Sequence, residues 1–160
     1  MRFLQHLLTP HWWAVRAFPS GVLRQIESAI KASERQHEGE LRFAIEGPLP
    51  LPALRTTIRK RAEALFGQLG VWDTEHNSGV LIYVQLVDRR IEIVADRGIG
   101  ARVEPSQWQG ICRQMEQSFR KGGQAEGAVQ AIEAITVLLA KHFPPRGRNP
   151  NELPDKPIVL

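Results

Sequence analysis

The most apolar run in the chain lies at residues 80–87, and it limits the possible folds more than any other feature. Gln85 is the one polar residue in it. The run is shorter than a usual helix, and an apolar segment without alternation is typical of a strand that is covered on both faces of its sheet. The sequence therefore predicts a central β-strand over residues 80–87.

Two further strands are indicated by alternating apolar and polar residues. RIEIVAD at residues 90–96 follows the apolar run after a short polar turn, so the two segments are predicted to form an antiparallel hairpin. Upstream, ELRFAIE at residues 40–46 also alternates, which predicts a half-buried strand.

Four amphipathic helices are predicted around these strands, because apolar residues recur at helical spacing and glycine or proline ends each segment. They cover roughly residues 20–35, 54–69, 105–121 and 125–143. The resulting order, α-β-α-β-β-α-α, predicts an α/β protein. Its architecture would be a three-layer α/β/α sandwich with a small mixed β-sheet flanked by helices.

Two terminal segments lie outside this domain. Residues 1–19 carry Trp12 and Trp13, which either rest at a membrane interface or pack against the domain. Their apolar run is too short for a cleaved signal peptide. Residues 144–160 lack periodicity and are predicted to be an extended tail, on the surface or free. We therefore expect an N-terminal segment at 1–19, one domain at 20–143 and a tail at 144–160.

The charge and cysteine content favour a cytoplasmic protein without a nucleic-acid partner. The formal charge is +4, and the basic residues are scattered. Arg55, Arg59, Lys60 and Arg61 are more typical of a solvated helix face than of an RNA-binding surface. The lone cysteine, Cys112, excludes an internal disulfide and fits a reducing compartment. A monomer or weak oligomer is expected, which could associate with membrane proteins or a membrane surface through the tryptophans.

Oxygen-donor side chains are predicted to gather at one edge of the sheet. A helical crossover makes the first two strands parallel, so the start of the second strand and the end of the third share an edge. Asp73, Glu75 and Asn77 precede the second strand, and Asp96 follows the third. These residues predict a Ca²⁺ or Mg²⁺ site, although the same residue types also form ordinary turns. Three more residues should lie near this edge: His37, Glu38 and Glu40.

The candidates for catalysis are His76 and Arg97. His76 would transfer protons, and Arg97 would either hold a phosphate oxygen or form ordinary surface ion pairs. RGIGAR at residues 97–102 lacks the Rossmann glycine spacing and the P-loop lysine, so no organic cofactor is expected. Whether the protein is an enzyme stays open.

One motif resembles a known family. An Asn-x-Gly-Val-Leu strand start at residues 77–81 is followed by Arg89 in the hairpin and by a glycine turn at Gly98. With its surroundings, over about residues 22–143, this pattern resembles the TPM domain of thylakoid lumen and photosystem II repair proteins and of many bacterial proteins. The chain is most similar to the short bacterial type without a signal.

The resemblance implies an α/β/α sandwich, a divalent-cation site and the acid phosphatase activity proposed for plant members. One departure is that AFPSGVL at residues 17–23 lacks the aspartate that many longer members carry before their first helix. We hypothesise a non-enzymatic interaction, assembly or repair module for membrane proteins. Its contact elements would be the tryptophans and the terminal PIVL, residues 157–160. The alternative is a metal-dependent acid phosphatase that hydrolyses phosphomonoesters.

Overall fold

The computed structural model describes residues 1–147 and 150–160, and a mixed four-stranded sheet lies at its centre. The spatial order of the strands is β3-β2-β1-β4. β2 and β4 run parallel to β1, whereas β3 runs antiparallel to β2. The strands are β1 (Glu40–Glu46), β2 (Gly79–Gln85), β3 (Arg90–Ala95) and β4 (Ile158–Val159).

Helices cover both faces of this sheet, and each face has its own apolar core. α3, α6 and α7 pack on one face, and α4 packs on the other. A short 3-10 turn at Ala53–Arg55 precedes α4. The helices are α1 (Arg2–Leu8), α2 (Trp12–Ala17), α3 (Ser20–Glu34), α4 (Ile58–Gln68), α5 (Arg97–Gly100), α6 (Pro105–Arg120) and α7 (Gln124–His142).

The predicted fold and strand directions are confirmed. Phe43 pairs with Ile82 in the parallel β1–β2 register, and both side chains belong to the core under α3, α6 and α7. Their neighbours Ala44 and Tyr83 belong to the opposite core under α4. Every residue of β2 is buried, as expected for a strand that is covered on both faces.

The prediction that the first strand is half-buried is wrong, because all seven residues of β1 are buried. The C-terminal segment, residues 150–160, covers the polar face of this strand. Arg42 donates hydrogen bonds to the carbonyl oxygens of Pro154, at 2.8 Å, and Lys156, at 2.6 Å. The predicted helix at 54–69 also starts late, at Ile58, where the Thr57 hydroxyl caps it by accepting from the Lys60 amide.

The C-terminal residues are part of the sheet, which corrects the prediction that they lie on the surface or free. β4 pairs with Ala44 and Ile45 of β1, and the Leu160 amide donates to the Ile45 carbonyl at 2.8 Å. Leu153 lies in the core under α4. PIVL at 157–160 therefore completes the sheet of its own chain, and the hypothesis that it pairs with a partner's sheet is wrong.

Candidate functional site

The loop between α4 and β2 is fixed by the backbone around it. A Cβ at Gly79 would collide with the carbonyl oxygen of Val71, so the chain crosses itself closely where β2 begins. The Thr74 hydroxyl accepts a hydrogen bond from the Ser78 amide at 3.1 Å. Asn77 adopts a left-handed conformation with a φ of 50°, which asparagine tolerates better than most residues. The loop is thus a defined turn.

The segment that follows β3 lies directly against this loop. The Asp96 amide donates to the Gly79 carbonyl at 2.8 Å, and the Gly98 amide donates to the Asn77 carbonyl at 2.9 Å. A Cβ at Gly98 would collide with the carbonyl oxygens of His76 and Asn77, which explains the glycine. The start of β2 and the end of β3 therefore meet at one edge, as the topology requires.

Asp96 is partly buried, and its two carboxylate oxygens differ in their surroundings. Its Oδ1 accepts a hydrogen bond from the Arg97 amide at 2.7 Å, which caps the short helix α5. Its Oδ2 is buried and has no hydrogen-bond partner among the described residues. A buried carboxylate oxygen without a partner can accept a hydrogen bond from a donor or bind a cation.

The other predicted metal ligands lie farther out. Asp73 and Glu75 are exposed, and Asn77 is partly buried. The Glu75 amide donates to the Glu152 carboxylate at 3.1 Å, which ties the loop to the C-terminal segment. Within residues 1–147 and 150–160, no three His, Cys, Asp or Glu side chains form a group that could hold a metal ion. The cation site at Asp73, Glu75, Asn77 and Asp96 stays a prediction.

Of the two catalytic candidates, His76 has a defined carboxylate partner. Its Nε2 lies 3.3 Å from Oε2 of Glu38, just before β1. Glu38 is thus at the same edge, as expected. Arg97 is exposed at the start of α5. The carboxylate that pairs with the His76 imidazole is therefore Glu38, which precedes β1, and not Asp96.

His37 is a buried structural residue. Its Nδ1 accepts from the Gly39 amide at 3.1 Å, so Nε2 carries the proton and donates to the Ser33 hydroxyl at 2.8 Å. Ser33 in turn bonds Thr136 at 2.6 Å, which links α3 to α7. Burial lowers the pKa of His37 to about 4, so the ring is neutral at physiological pH.

The buried Glu40 and the partly buried Glu34 hold the C-terminal segment in place, a role that no pattern in the sequence indicates. Oε2 of the fully buried Glu40 accepts the Leu153 amide at 3.2 Å, and burial raises the Glu40 pKa to about 7. Burial likewise raises the pKa of Glu34 to about 9, and its Oε1 accepts the Leu41 amide at 2.9 Å. A further hydrogen bond links Glu34 to Asp155 in the C-terminal segment.

In the N-terminal helices α1 and α2, large apolar side chains are exposed, and in α1 a polar side chain is buried. The most deeply buried residue of α1 is His6, with 3% of its surface exposed, whereas Leu7 is 73% and Leu8 is 77% exposed. We call the exposed apolar side chains of both helices the N-terminal apolar surface. It consists of Phe3, Leu4, Leu7, Leu8, Trp12, Trp13 and Val15.

Polar contacts hold α1 in this orientation. Arg2 binds Asp88 with two hydrogen bonds, of 2.9 and 3.0 Å, and His6 Nε2 lies 3.2 Å from the same carboxylate. His6 Nδ1 accepts the Leu49 amide at 2.9 Å, which leaves Nε2 to donate to Asp88. The signal that could have found this contact is the spacing of Arg2 and His6, which share one face of a helix.

Comparison with known proteins decides the family. Residues 17–138 match the model of the TPM domain. The chain belongs to the TPM domain family. The match begins at the end of α2, so the whole N-terminal apolar surface precedes the matched part of this TPM protein.

Solved structures support the same assignment. This TPM protein is similar to the BA42 protein of the psychrophilic bacterium Bizionia argentinensis, with 28% identity and a TM-score of 0.79. That match covers 89% of this chain and 95% of BA42. The N-terminal domain of a protein from P. gingivalis shares the fold, with 18% identity, a TM-score of 0.59 and coverage of 89% and 97%. No curated protein gives a significant match.

Proposed function

We propose that this TPM-domain protein is a non-enzymatic interaction module that assists the assembly or repair of membrane proteins and works at the membrane surface. The observation that carries this proposal is the N-terminal apolar surface, which a partly buried Arg2–His6–Asp88 contact turns outward. A contiguous group of large apolar side chains on a folded protein is typical of an interaction site.

The composition of this surface suits a lipid interface. Leucine and phenylalanine side chains insert among acyl chains, and Trp12 prefers the boundary between the acyl chains and the headgroups. Arg16 and His11 are exposed beside it and would attract anionic headgroups. Within the described residues no helix is both long and apolar enough to cross a bilayer. The segment would therefore lie in the plane of the interface.

Sedimentation with vesicles tests this proposal. The full chain is mixed with phosphatidylcholine vesicles that contain phosphatidylglycerol. We expect it to sediment with them, and the Leu4→Glu/Leu7→Glu variant to bind at least tenfold more weakly, because two charges enter the apolar face. The matched control is Val137→Glu, which changes an apolar side chain on α7 that is 67% exposed. Equal sedimentation of all three proteins would refute the role of the N-terminal surface.

The same proposal includes a structural divalent cation, Ca²⁺ or Mg²⁺, at Asp73, Glu75, Asn77 and Asp96. Its support is the buried, unpartnered Oδ2 of Asp96, since a hard cation takes carboxylate and carbonyl oxygens. A bound ion would neutralise this carboxylate and hold the loop before β2 against the segment after β3.

Thermal unfolding with calcium, magnesium or manganese against a chelator tests the cation. Binding to the native state raises its melting temperature by mass action. We expect a rise in the wild type and in Glu133→Gln, which removes an exposed charge on α7, and no rise in Asp96→Asn. An unchanged melting temperature of the wild type with every cation would contradict the site.

The phosphatase alternative has less support among the described contacts. The carboxylate that pairs with His76 is Glu38, which is not one of the predicted metal ligands. Burial raises the pKa of the Cys112 thiol to about 12, so this cysteine is a poor nucleophile at neutral pH. The interaction module is therefore the function that the geometry supports best.

A further inference from the structure

A second candidate interaction surface lies along β3, at the opposite edge of the sheet from β4. A groove of about 870 Å³ follows the outer edge of β3, with Arg59 of α4 on one side and α6 on the other. Trp108, Arg113 and Arg120 of α6 line it. We infer that this edge groove binds an extended, acidic peptide segment of a partner protein, which adds to the sheet as a strand beside β3.

The outward backbone groups of β3 are bonded by side chains and not by another strand. β3 is an edge strand and pairs with β2 on one side. On its other side the Ile91 amide donates to Oε1 of Glu116 at 3.0 Å, and the Ile93 carbonyl accepts from Arg59 at 2.7 Å. The thiol of Cys112 is the hydrogen-bond partner of the Ile93 backbone. Side chains therefore occupy the positions that a neighbouring strand would fill.

Arg59 can move aside at lower cost than Glu116, whose side chain is only 13% exposed. Arg59 is about half-exposed and also contacts Glu63, and it reaches β3 from the surface of α4. An incoming strand would replace the contacts of Arg59 and Glu116 by a regular ladder of backbone hydrogen bonds. Such strand addition supplies affinity through the main chain and specificity through alternate side chains.

The charge of the groove selects an acidic occupant. Its arginines outnumber its glutamates by four (Arg59, Arg90, Arg113, Arg120) to two (Glu92, Glu116). Arg59 and Arg90 pair with these glutamates, at 3.7 and 3.8 Å. Within the described residues no ion pair is formed by Arg113 or Arg120, which are both exposed. A second copy of this chain would bring the same excess of positive charge, so it fits the groove less well than an acidic segment.

An array of short peptides tests this inference with the full chain in solution, without lipid. The peptides have about eight residues, enough to span the six residues of β3, with Asp or Glu at alternate positions and varied apolar residues between them. A matched array carries Lys in place of every acid. We expect members of the acidic array to bind and those of the lysine array not to bind.

Hydrogen exchange separates strand addition from simple charge attraction. Binding should slow exchange of the outward amides of Ile91 and Ile93 by roughly tenfold, since they join a ladder of hydrogen bonds. The Arg113→Glu/Arg120→Glu variant should bind about tenfold more weakly or worse. Arg24→Glu/Arg55→Glu, which reverses two exposed arginines outside the groove, should bind as the wild type does.

Three results would overturn the inference. One is equal binding to the acidic and lysine arrays, and another is peptide binding without any change at the Ile91 and Ile93 amides. The third is self-association of the wild type that the Arg113→Glu/Arg120→Glu variant loses, which would assign the groove to a second copy. None of these results bears on the vesicle experiment, because the N-terminal apolar surface is unchanged in every variant used.

Discussion

Glu40 links the protonation state of one side chain to the docking of the C-terminal segment. Burial raises its pKa from 4.5 to about 7, so the folded protein holds a proton that the unfolded chain has released over this pH range. The contribution of this group to stability is therefore fully present below about pH 4.5. It decreases as the pH rises through 7.

The Glu40→Gln variant isolates this effect. Glutamine resembles the protonated acid and does not ionise, so the variant keeps the contribution at every pH. Relative to the variant, we expect the wild type to lose roughly 3 kcal/mol in its free energy of unfolding between about pH 5 and pH 9. Urea unfolding of both proteins at a series of pH values measures the difference.

Both proteins retain two other shifted groups, and one of them interacts with Glu40, since the Glu40 charge also raises the pKa of Glu34. Glu34 has a raised pKa and acts in the same direction as Glu40. His37 has a lowered pKa and loses its contribution as the pH falls toward 4. A difference between wild type and variant that stays constant with pH would show that Glu40 is ionised in the folded protein.

At the scale of single residues, the sequence predicted residue types better than their partners. Turn chemistry and strand directions were sufficient to expect Asp96 beside the loop at 71–78. The spacing of Arg2 and His6 places them on one helix face, but it does not identify Asp88 as their partner, because Arg2 lies 86 positions away. Glu40 likewise looks like an ordinary strand terminus until the C-terminal segment buries it.

Among the elements, the C-terminal segment contributes more to stability than its short strand suggests. Leu153 is 7% exposed and packs in the core under α4 with Leu81 and Tyr83. Leu153→Ala should destabilise the protein by about 2–4 kcal/mol, since it removes buried methyl groups and leaves a cavity. Leu51→Ala is the matched control, because Leu51 is 66% exposed.

Chemical denaturation of both leucine variants measures this difference. A loss for Leu153→Ala no larger than that for Leu51→Ala would mean that residues 150–160 detach readily from the sheet in solution. Nuclear magnetic resonance of the Leu160 amide, which bonds the Ile45 carbonyl, would locate the detachment.

The helices and strands that the sequence predicted are those long enough to show a repeating or continuous pattern of apolar residues. α3, α6 and α7 repeat their apolar positions over several turns, and β2 is a continuous apolar run. β4 has two residues, which is too short for any periodicity to appear. The sequence did not predict β4 or the residues that lead into it. One face of β1 was therefore expected to be exposed to solvent, whereas the structure covers that face.

At the scale of the whole molecule, both terminal segments converge on the chain just after β1. The Gly47 amide donates to the Leu160 carbonyl at 3.1 Å, and the Leu49 amide donates to His6 at 2.9 Å. A Cβ at Gly47 would lie 3.2 Å from that of Ala14, so α2 also approaches here. Contacts of this range depend on the three-dimensional path of the chain, and no local pattern in the sequence indicates them.

Asp88 is the residue on which the position of α1 depends, because it binds Arg2 and the buried His6 together. In Asp88→Ala, Arg2 keeps only its hydrogen bonds to the carbonyl oxygens of Leu54 and Thr56. His6 is left buried without a partner for Nε2. We expect α1 to leave the surface while α2 stays, since Ala14 and Phe18 remain fully buried.

Hydrogen exchange of residues 2–8 and of the Leu49 amide should therefore speed up by at least roughly tenfold, with β1 and β2 unchanged. Asp73→Ala, which alters an exposed aspartate in the loop before β2, should leave this exchange as it is. Unchanged protection of α1 in Asp88→Ala would mean that apolar packing holds the helix, and that the outward orientation of its leucines has another cause.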